Sequence, residues 1–300
     1  MSLTIDLFTA HQWIDLPAAC WQAIEHAYAL LCANPEAEAL FCAEKAALLD
    51  VNDAEELITP LCVRKRLLGE EEPLFALLVL LSAIPDLAGR YKTNGISNTI
   101  LRDTLRDIPQ WVQVCYERLG KWGMLEYGWL VSHFRMKLFR LGRLQFGLAN
   151  SAMPAHVFQS KGGQIIALAP EGEQYLPNGE ASLTNGVKSS QAFTAVFKAS
   201  PNAIQGTRIH PDGRATTQRL LLPTAQWRCL YSPGDCVIEI HIPAGEALPM
   251  QDVFASLHQA KQFFALQSQT SKPSLFVCES WLMDDALPLL MPESNIAAFS

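Results

Sequence analysis

The spacing of the apolar residues changes near residue 137, and this change constrains the fold more than any other feature. Before it, apolar side chains recur at three- and four-residue steps. In LPAACWQAIEHAYALLCAN, Trp21, Ile24, Tyr28 and Leu31 fall on one helix face. Asn34-Pro35 ends that helix and opens the next, PEAEALFCAEKAALLD. Asn52 or Asp53 is suited to cap AEELITPLCVRKRLL, which Pro60 interrupts. Ser97 is the expected cap of ISNTILRDTLRDI, and Pro109 marks a turn before QWVQVCYERLG. KWGMLEYGWLVSHFRM is expected to form one more helix, with Leu125, Trp129 and Ser132 or His133 on a common stripe.

After the change, extended patterns dominate. KLFRLGRLQFGLA alternates and is rich in strand formers. GQIIALA, QAFTAVFKA and TRIHPDGRATTQRLLL follow, the last with a Pro-Asp-Gly hairpin turn. EGEQYLPNGEASLTNGVKSS, with two Asn-Gly pairs, is a surface loop or an extra hairpin. The C-terminal part then alternates regularly. CVIEIHIP is a strand, AGEALP a loop, and MQDVFASLHQAKQFFALQSQ an amphipathic helix with Val253, Leu257, Ala260 and Phe264 on one side. SKPSLFVCESWLM is a second strand, DDALPLLM a short helix, and PESNIAAFS a candidate last strand. Strand–helix–strand implies a parallel crossover. The class is therefore α+β: a helical N-terminal domain, residues 1–135, then a mixed α/β C-terminal domain, residues 136–300.

Composition narrows the function classes. Of the 300 residues, 49% are hydrophobic, enough for a full core. A net charge of -7 speaks against nucleic acid or anionic lipid as partners, because those require a basic face. The apolar run LFALLVLLSAI, residues 74–84, is short for a bilayer span and fits a buried helix. The N-terminus lacks a basic segment followed by an apolar one, so a cytoplasmic protein is expected. The eight cysteines show no C-x-x-C and no zinc spacing, so reduced thiols filling the core are expected, with no metal. No G-x-G-x-x-G, G-x-x-x-x-G-K-[ST], G-x-S-x-G or H-E-x-x-H occurs.

Chemistry-bearing residues gather at two strand ends. In CVIEIHIPAG, Val237, Glu239 and His241 share one face, and Ile238, Ile240 and Ile242 the other. Ligands in open α/β sheets collect beyond the carboxyl ends of parallel strands. His241 stands there as a candidate general base, with Glu239 to orient it. A histidine that simply closes the strand by bonding the backbone is the plainer alternative. In FVCESW, Glu279 is a candidate carboxylate beside His241 if the crossover is parallel, and a salt-bridging residue otherwise. Cys278 reads as a core thiol rather than a nucleophile. The loop Ile242, Ala244, Gly245, Glu246 and Ala247 leads into a helix start, whose amides and dipole suit an anion. Arg140 and Arg143 face opposite sides if LFRLGRLQF is one strand. Either could meet a phosphate or carboxylate, and two surface arginines is the plainer alternative. Glu126 is a solvated or capping carboxylate.

Several stretches, in this order, carry a resemblance: W-G-x-x-E-Y-x-W-L (122–130), L-F-R-L-G-R-L-Q-F (138–146), H-I-P-A-G (241–245), S-L-x-x-A-x-x-F-F (256–264), C-x-S-W-L (278–282) and SNIAAF (294–299). Together they resemble a bacterial family of acyltransferase domain-containing proteins, with a helical N-acyltransferase N-terminal domain and a GNAT-like C-terminal domain. The resemblance implies acyl-CoA or acetyl-CoA as co-substrate, with its pyrophosphate on the loop amides of 242–247. It also implies a small-molecule amine acceptor deprotonated by His241 or Glu279. The loop AGEALP departs from the Q/R-x-x-G-x-G/A pattern of such sites, with one glycine, a glutamate, and a proline that removes a donor. A non-catalytic GNAT-like shell binding a small ligand or partner therefore stays open. Oligomeric state has no signature in the sequence.

Overall fold

A computed structural model describes residues 7–50, 61–182, 191–245, 247–267, 273, 275–283, 286–292 and 294. The expected caps at Asn52 and Asp53, the break at Pro60, the second Asn-Gly pair and most of SNIAAF lie outside these residues. Among the described residues α-helices come first: α1 Leu7–His11, α2 Ala18–Ala33, α3 Pro35–Leu49, α4 Leu61–Leu68, α5 Leu74–Thr93, α6 Asn98–Leu105, α7 Asp107–Leu119 and α8 Tyr127–Phe134. Strands follow: β1 Leu138–Leu141, β2 Leu144–Asn150, β3 His156–Ser160, β4 Ile165–Leu168, β5 Gln174–Tyr175, β6 Phe193–Thr194, β7 Phe197–Ala199, β8 Ala203–Ile209, β9 Ala215–Pro223, β10 Trp227–Tyr231 and β11 Cys236–His241. Then come α9 Met250–Gln267, β12 Phe276–Val277 and α10 Ala286–Leu290.

The strands form a four-stranded sheet in the order β1-β2-β11-β12, a larger sheet built on β10-β3-β4-β8-β7 with β9 against β8, and the small pair β5-β6. Contacts divide the chain into two compact units. The first comprises residues 1–147, 240–264 and 280–300, and the second residues 148–239 and 265–279.

In the first unit several local signals behave as read. The Asn34 side chain accepts from the amides of Glu36 and Ala37, and the Ser97 hydroxyl from that of Ile100. Of the expected α2 face, Trp21, Ile24 and Leu31 are buried and Tyr28 is half-buried. The apolar run at 74–84 continues to Thr93, giving a longer helix than the run alone suggested. Among the described residues α5 is one helix long and apolar enough to cross a membrane, yet 72% of its apolar window is buried within the protein. It packs against α1, α2, α3, α6 and α8, so it is a core helix.

Three expectations in this unit are corrected. Pro109, expected in a turn, lies in the first turn of α7, which begins at Asp107. The helix expected over KWGMLEYGWLVSHFRM begins only at Tyr127. Gly123 lies so close to Pro73 that an added Cβ would sit 2.4 Å from the Pro73 side chain, and Met124 N–H donates to the Pro73 carbonyl. That bond holds the segment before α8 in an irregular path. LFRLGRLQF is not one strand but the hairpin β1–β2, with Arg140 opposite Gln145 and Leu141 opposite Leu144. Gly142 turns the chain at φ +72°, a conformation that favours glycine. Both arginines are buried, not on the surface.

In the second unit the pairs β3–β4, β3–β10, β4–β8, β7–β8 and β8–β9 are antiparallel. Phe158, Leu168, Ile204 and Leu222 form its core, and the Pro-Asp-Gly turn joins β8 to β9 as expected. Strands β3 and β10 were not expected; Phe158 is the single fully buried residue of β3, so alternation there is faint. In contrast, β11 and β12 pair in parallel as the strand–helix–strand order implies, Ile238 opposite Phe276 and Glu239 opposite Val277.

Candidate active site

The helix starts and the hairpin of the first unit bring polar groups into its core. Asp107 opens α7, where the helix dipole favours a carboxylate. It is 3% exposed. Its Oδ2 accepts from Gln145 Nε2 on β2 at 2.7 Å, from His133 Nε2 on α8 at 3.0 Å and from Trp129 Nε1 at 3.3 Å. The Arg140 guanidinium reaches within 4.0 Å of Oδ1. Burial pushes this carboxyl up, and the His133 ring, Gln145 and Trp129 together outweigh it, so its pKa is lowered. The other ring nitrogen of His133 lies 3.1 Å from the Leu138 carbonyl. Both ring nitrogens thus face protein oxygens. Sequence reasoning did not single out this cluster. Its members come from α7, α8, β1 and β2, and no local pattern links them.

Trp129 joins the cluster to His241. The indole N–H is held by Asp107, and the ring meets the His241 imidazole edge-to-face, with centroids 5.1 Å apart. His241 ends β11 and is half-buried. Val237, Ile238 and Ile240 are buried, so the polar face foreseen for this strand opens only at Glu239 and His241, both half-buried.

The chain after His241 forms the loop foreseen for an anion. Ile242 is half-buried, Ala244, Gly245 and Ala247 are exposed, and Glu246 lies outside the described residues. Gly245 adopts φ +95°. The loop is tied down by a residue from the β1–β2 turn: Arg143 Nε donates to the Ala247 carbonyl at 2.7 Å, and Arg143 N–H to the Ser256 hydroxyl at 2.8 Å. Arg143 therefore braces the loop through the protein's own carbonyl. Ser256 in turn donates to the Asp252 carbonyl, so the brace reaches the first turns of α9. This explains why Ser256, rather than Leu257, occupies the most buried stripe of that helix beside Val253 and Ala260.

In the second unit Glu239 lies opposite Val277, and Glu279 is exposed two residues beyond the end of β12. Cys278 is half-buried and burial raises its thiol, the reverse of what a nucleophile needs. Of the other cysteines, Cys20 and Cys115 are buried, while Cys32, Cys42 and Cys229 are exposed, so core filling accounts for only part of the set. Glu126 precedes α8 with no capping bond from its side chain. Among the described residues no cluster of His, Cys, Asp or Glu is placed to hold a metal ion.

This architecture is matched by two family models laid end to end. An N-acyltransferase N-terminal domain covers residues 6–136, and a GNAT-like C-terminal domain covers residues 138–300. The chain belongs to this family. As an N-acyltransferase/GNAT-like protein it also resembles solved structures in fold. One is an acyltransferase in complex with decanoyl-CoA, with 18% identity and a TM-score of 0.57 over 98% of this chain and 67% of that one. A variant acyltransferase in complex with octanoyl-CoA gives 16% identity and a TM-score of 0.58 over the same shares. An acyltransferase in complex with decanoyl-CoA and teicoplanin gives 17% identity and a TM-score of 0.54 over 95% of this chain and 69% of that one. At these identities the likeness is one of fold. No curated protein sequence matches the chain.

Proposed function

We propose that the protein is an acyl-CoA-dependent N-acyltransferase. The observation that carries this is the β11–α9–β12 unit. Its strands pair in parallel, its connection passes through an exposed glycine loop into an 18-residue helix, and it lies inside a chain matched by both domains of the family. Strand-to-helix loops of this form receive anions on their amides and helix dipole. The CoA pyrophosphate would lie at residues 242–247, braced from beneath by Arg143.

The reaction this site suits is aminolysis of a thioester. His241 takes the proton of the acceptor amine, the amine nitrogen attacks the acyl carbonyl, a C–N bond forms and the C–S bond breaks, and the leaving thiolate takes that proton back from His241 and departs as the CoA thiol. Asp107 holds Trp129, and Trp129 limits the tilt of the His241 ring. Glu239 and Glu279 are the other candidate bases. Structurally similar acyltransferases are bound to octanoyl- and decanoyl-CoA, which supports a medium-chain donor. Exposed free thiols at Cys32, Cys42 and Cys229 fit a cytoplasmic setting. The single Gly245 and the Pro249 of the loop favour a second reading, a fold that binds CoA or another small ligand without turnover.

Thermal unfolding with free CoA, acetyl-CoA and decanoyl-CoA separates these readings, because a ligand that binds only the folded state raises Tm. The expected result is a rise with CoA and a larger one with decanoyl-CoA. No shift at millimolar CoA rules out the acyl-CoA reading. With an accepted amine in hand, His241→Ala is expected to lower turnover at least about 100-fold. CoA binding without turnover on any amine supports the second reading.

A further inference from the structure

The first turn of α7 lies against the segment that ends β11, and two of its side chains reach that segment. Asp107 holds the Trp129 indole, whose ring meets His241. Gln110 stands three residues further along α7, so it shares a helix face with Asp107. It reaches the other end of the segment, at Gly245. A Cβ added to Gly245 would lie 3.9 Å from the Gln110 Nε2, and among the described residues nothing else but its chain neighbours comes within 4 Å. Gly245, at φ +95°, therefore leaves a space beside its backbone with the Gln110 carboxamide on the far side. Gln110 is half-buried, and it belongs with His241 and Gly245 to the first unit.

The loop by itself is short of donors, because Pro243 and Pro249 carry no N–H. Among the described residues the amides of Ala244, Gly245 and Ala247 donate to no backbone carbonyl, and all three residues are exposed. An anion seated on these amides would have the loop on one side and the Gln110 carboxamide on the other. A hydrogen bond from an amide N–H to an ionised oxygen is stronger than one between neutral groups. Building on the acyl-CoA reading, we propose that Gln110 is a binding residue for the CoA pyrophosphate, its side-chain N–H donating to a phosphate oxygen from the side opposite Gly245. A donor from α7 makes up for those the two prolines remove. Glycine at 245 then serves a close approach of backbone to ligand, since a larger side chain would enter the space the pyrophosphate takes.

The test is isothermal titration of the full chain with CoA and with dephospho-CoA, which keeps the pyrophosphate and lacks the 3′-phosphate. Gln110→Glu puts a carboxylate of the same shape in place of the donor, and is expected to weaken both ligands at least about tenfold. Gln110→Lys keeps a donor, and is expected to bind both at least as tightly as the wild-type protein. A purely structural role would weaken the two variants alike, so the opposite directions separate contact from packing. Unchanged CoA affinity in Gln110→Glu overturns the proposal and leaves the acyl-CoA reading standing. So does a loss in Gln110→Lys equal to that in Gln110→Glu, or a loss confined to CoA with dephospho-CoA unaffected. Absence of CoA binding by the wild-type protein overturns the acyl-CoA reading and this proposal with it.

Discussion

At the residue scale, Asp107 has the largest consequences. Its carboxylate is surrounded by His133, Gln145, Trp129 and Arg140 in the dry core of the first unit. Removing one member of a buried charge group leaves the others uncompensated, a loss of about 3–5 kcal/mol. Asp107→Ala is expected to destabilise the protein by that amount in denaturant unfolding. The pH dependence follows from the direction of the shift. The ordinary value is 3.8 and the folded value is lower, so folding favours the charged form. That contribution is fully present above about pH 4–5 and is lost as pH falls through the folded value. Asp107→Asn is expected to flatten the acid limb of the stability curve below about pH 4. Neither Asp107 nor Gln145 could be singled out beforehand, because a buried aspartate and a solvated one have the same one-letter code. His133 was visible as part of a helix stripe, but its partners were not.

At the element scale, the β1–β2 hairpin positions the loop after β11. The turn depends on Gly142, whose φ of +72° strains any other L-residue and whose added Cβ would sit 2.7 Å from the Ser256 hydroxyl. That hydroxyl accepts from Arg143 N–H, and Arg143 holds the Ala247 carbonyl. Gly142→Ala is expected to cost about 1–3 kcal/mol from strain and crowding and, under the proposed function, to weaken CoA binding in titration more than Gly213→Ala at the β8–β9 turn. Equal CoA affinity in the two variants breaks the link between turn and loop. The alternation of LFRLGRLQF correctly announced extended chain. It did not announce the reversal at Gly142, because a glycine between two arginines is compatible with either a strand or a turn.

At the scale of the whole molecule, α5 distinguishes a core helix from a membrane span. Every residue from Leu74 to Ile84 is buried, and Leu77, Leu78, Leu80 and Leu81 are 0% exposed. Leu80→Ala is expected to lower stability by about 2–5 kcal/mol in urea, the cost of a core cavity. A helix whose partner was lipid would show no such loss in water.

What the amino-acid sequence determined by itself is local or ordered along the chain. Caps at Asn34 and Ser97, most of the buried faces of α2 and α9, the Pro-Asp-Gly hairpin and the parallel strands around α9 follow from neighbouring residues, because backbone geometry turns spacing into facing. The order of short motifs was likewise enough to point to the family. Only the tertiary structure decided which polar residues leave water. Arg140, Arg143, Asp107 and Gln145 are buried because distant elements close around them, and Tyr127 is left with an unpaired hydroxyl for the same reason. Burial of a side chain is a property of everything packed against it, and no spacing along the chain encodes it.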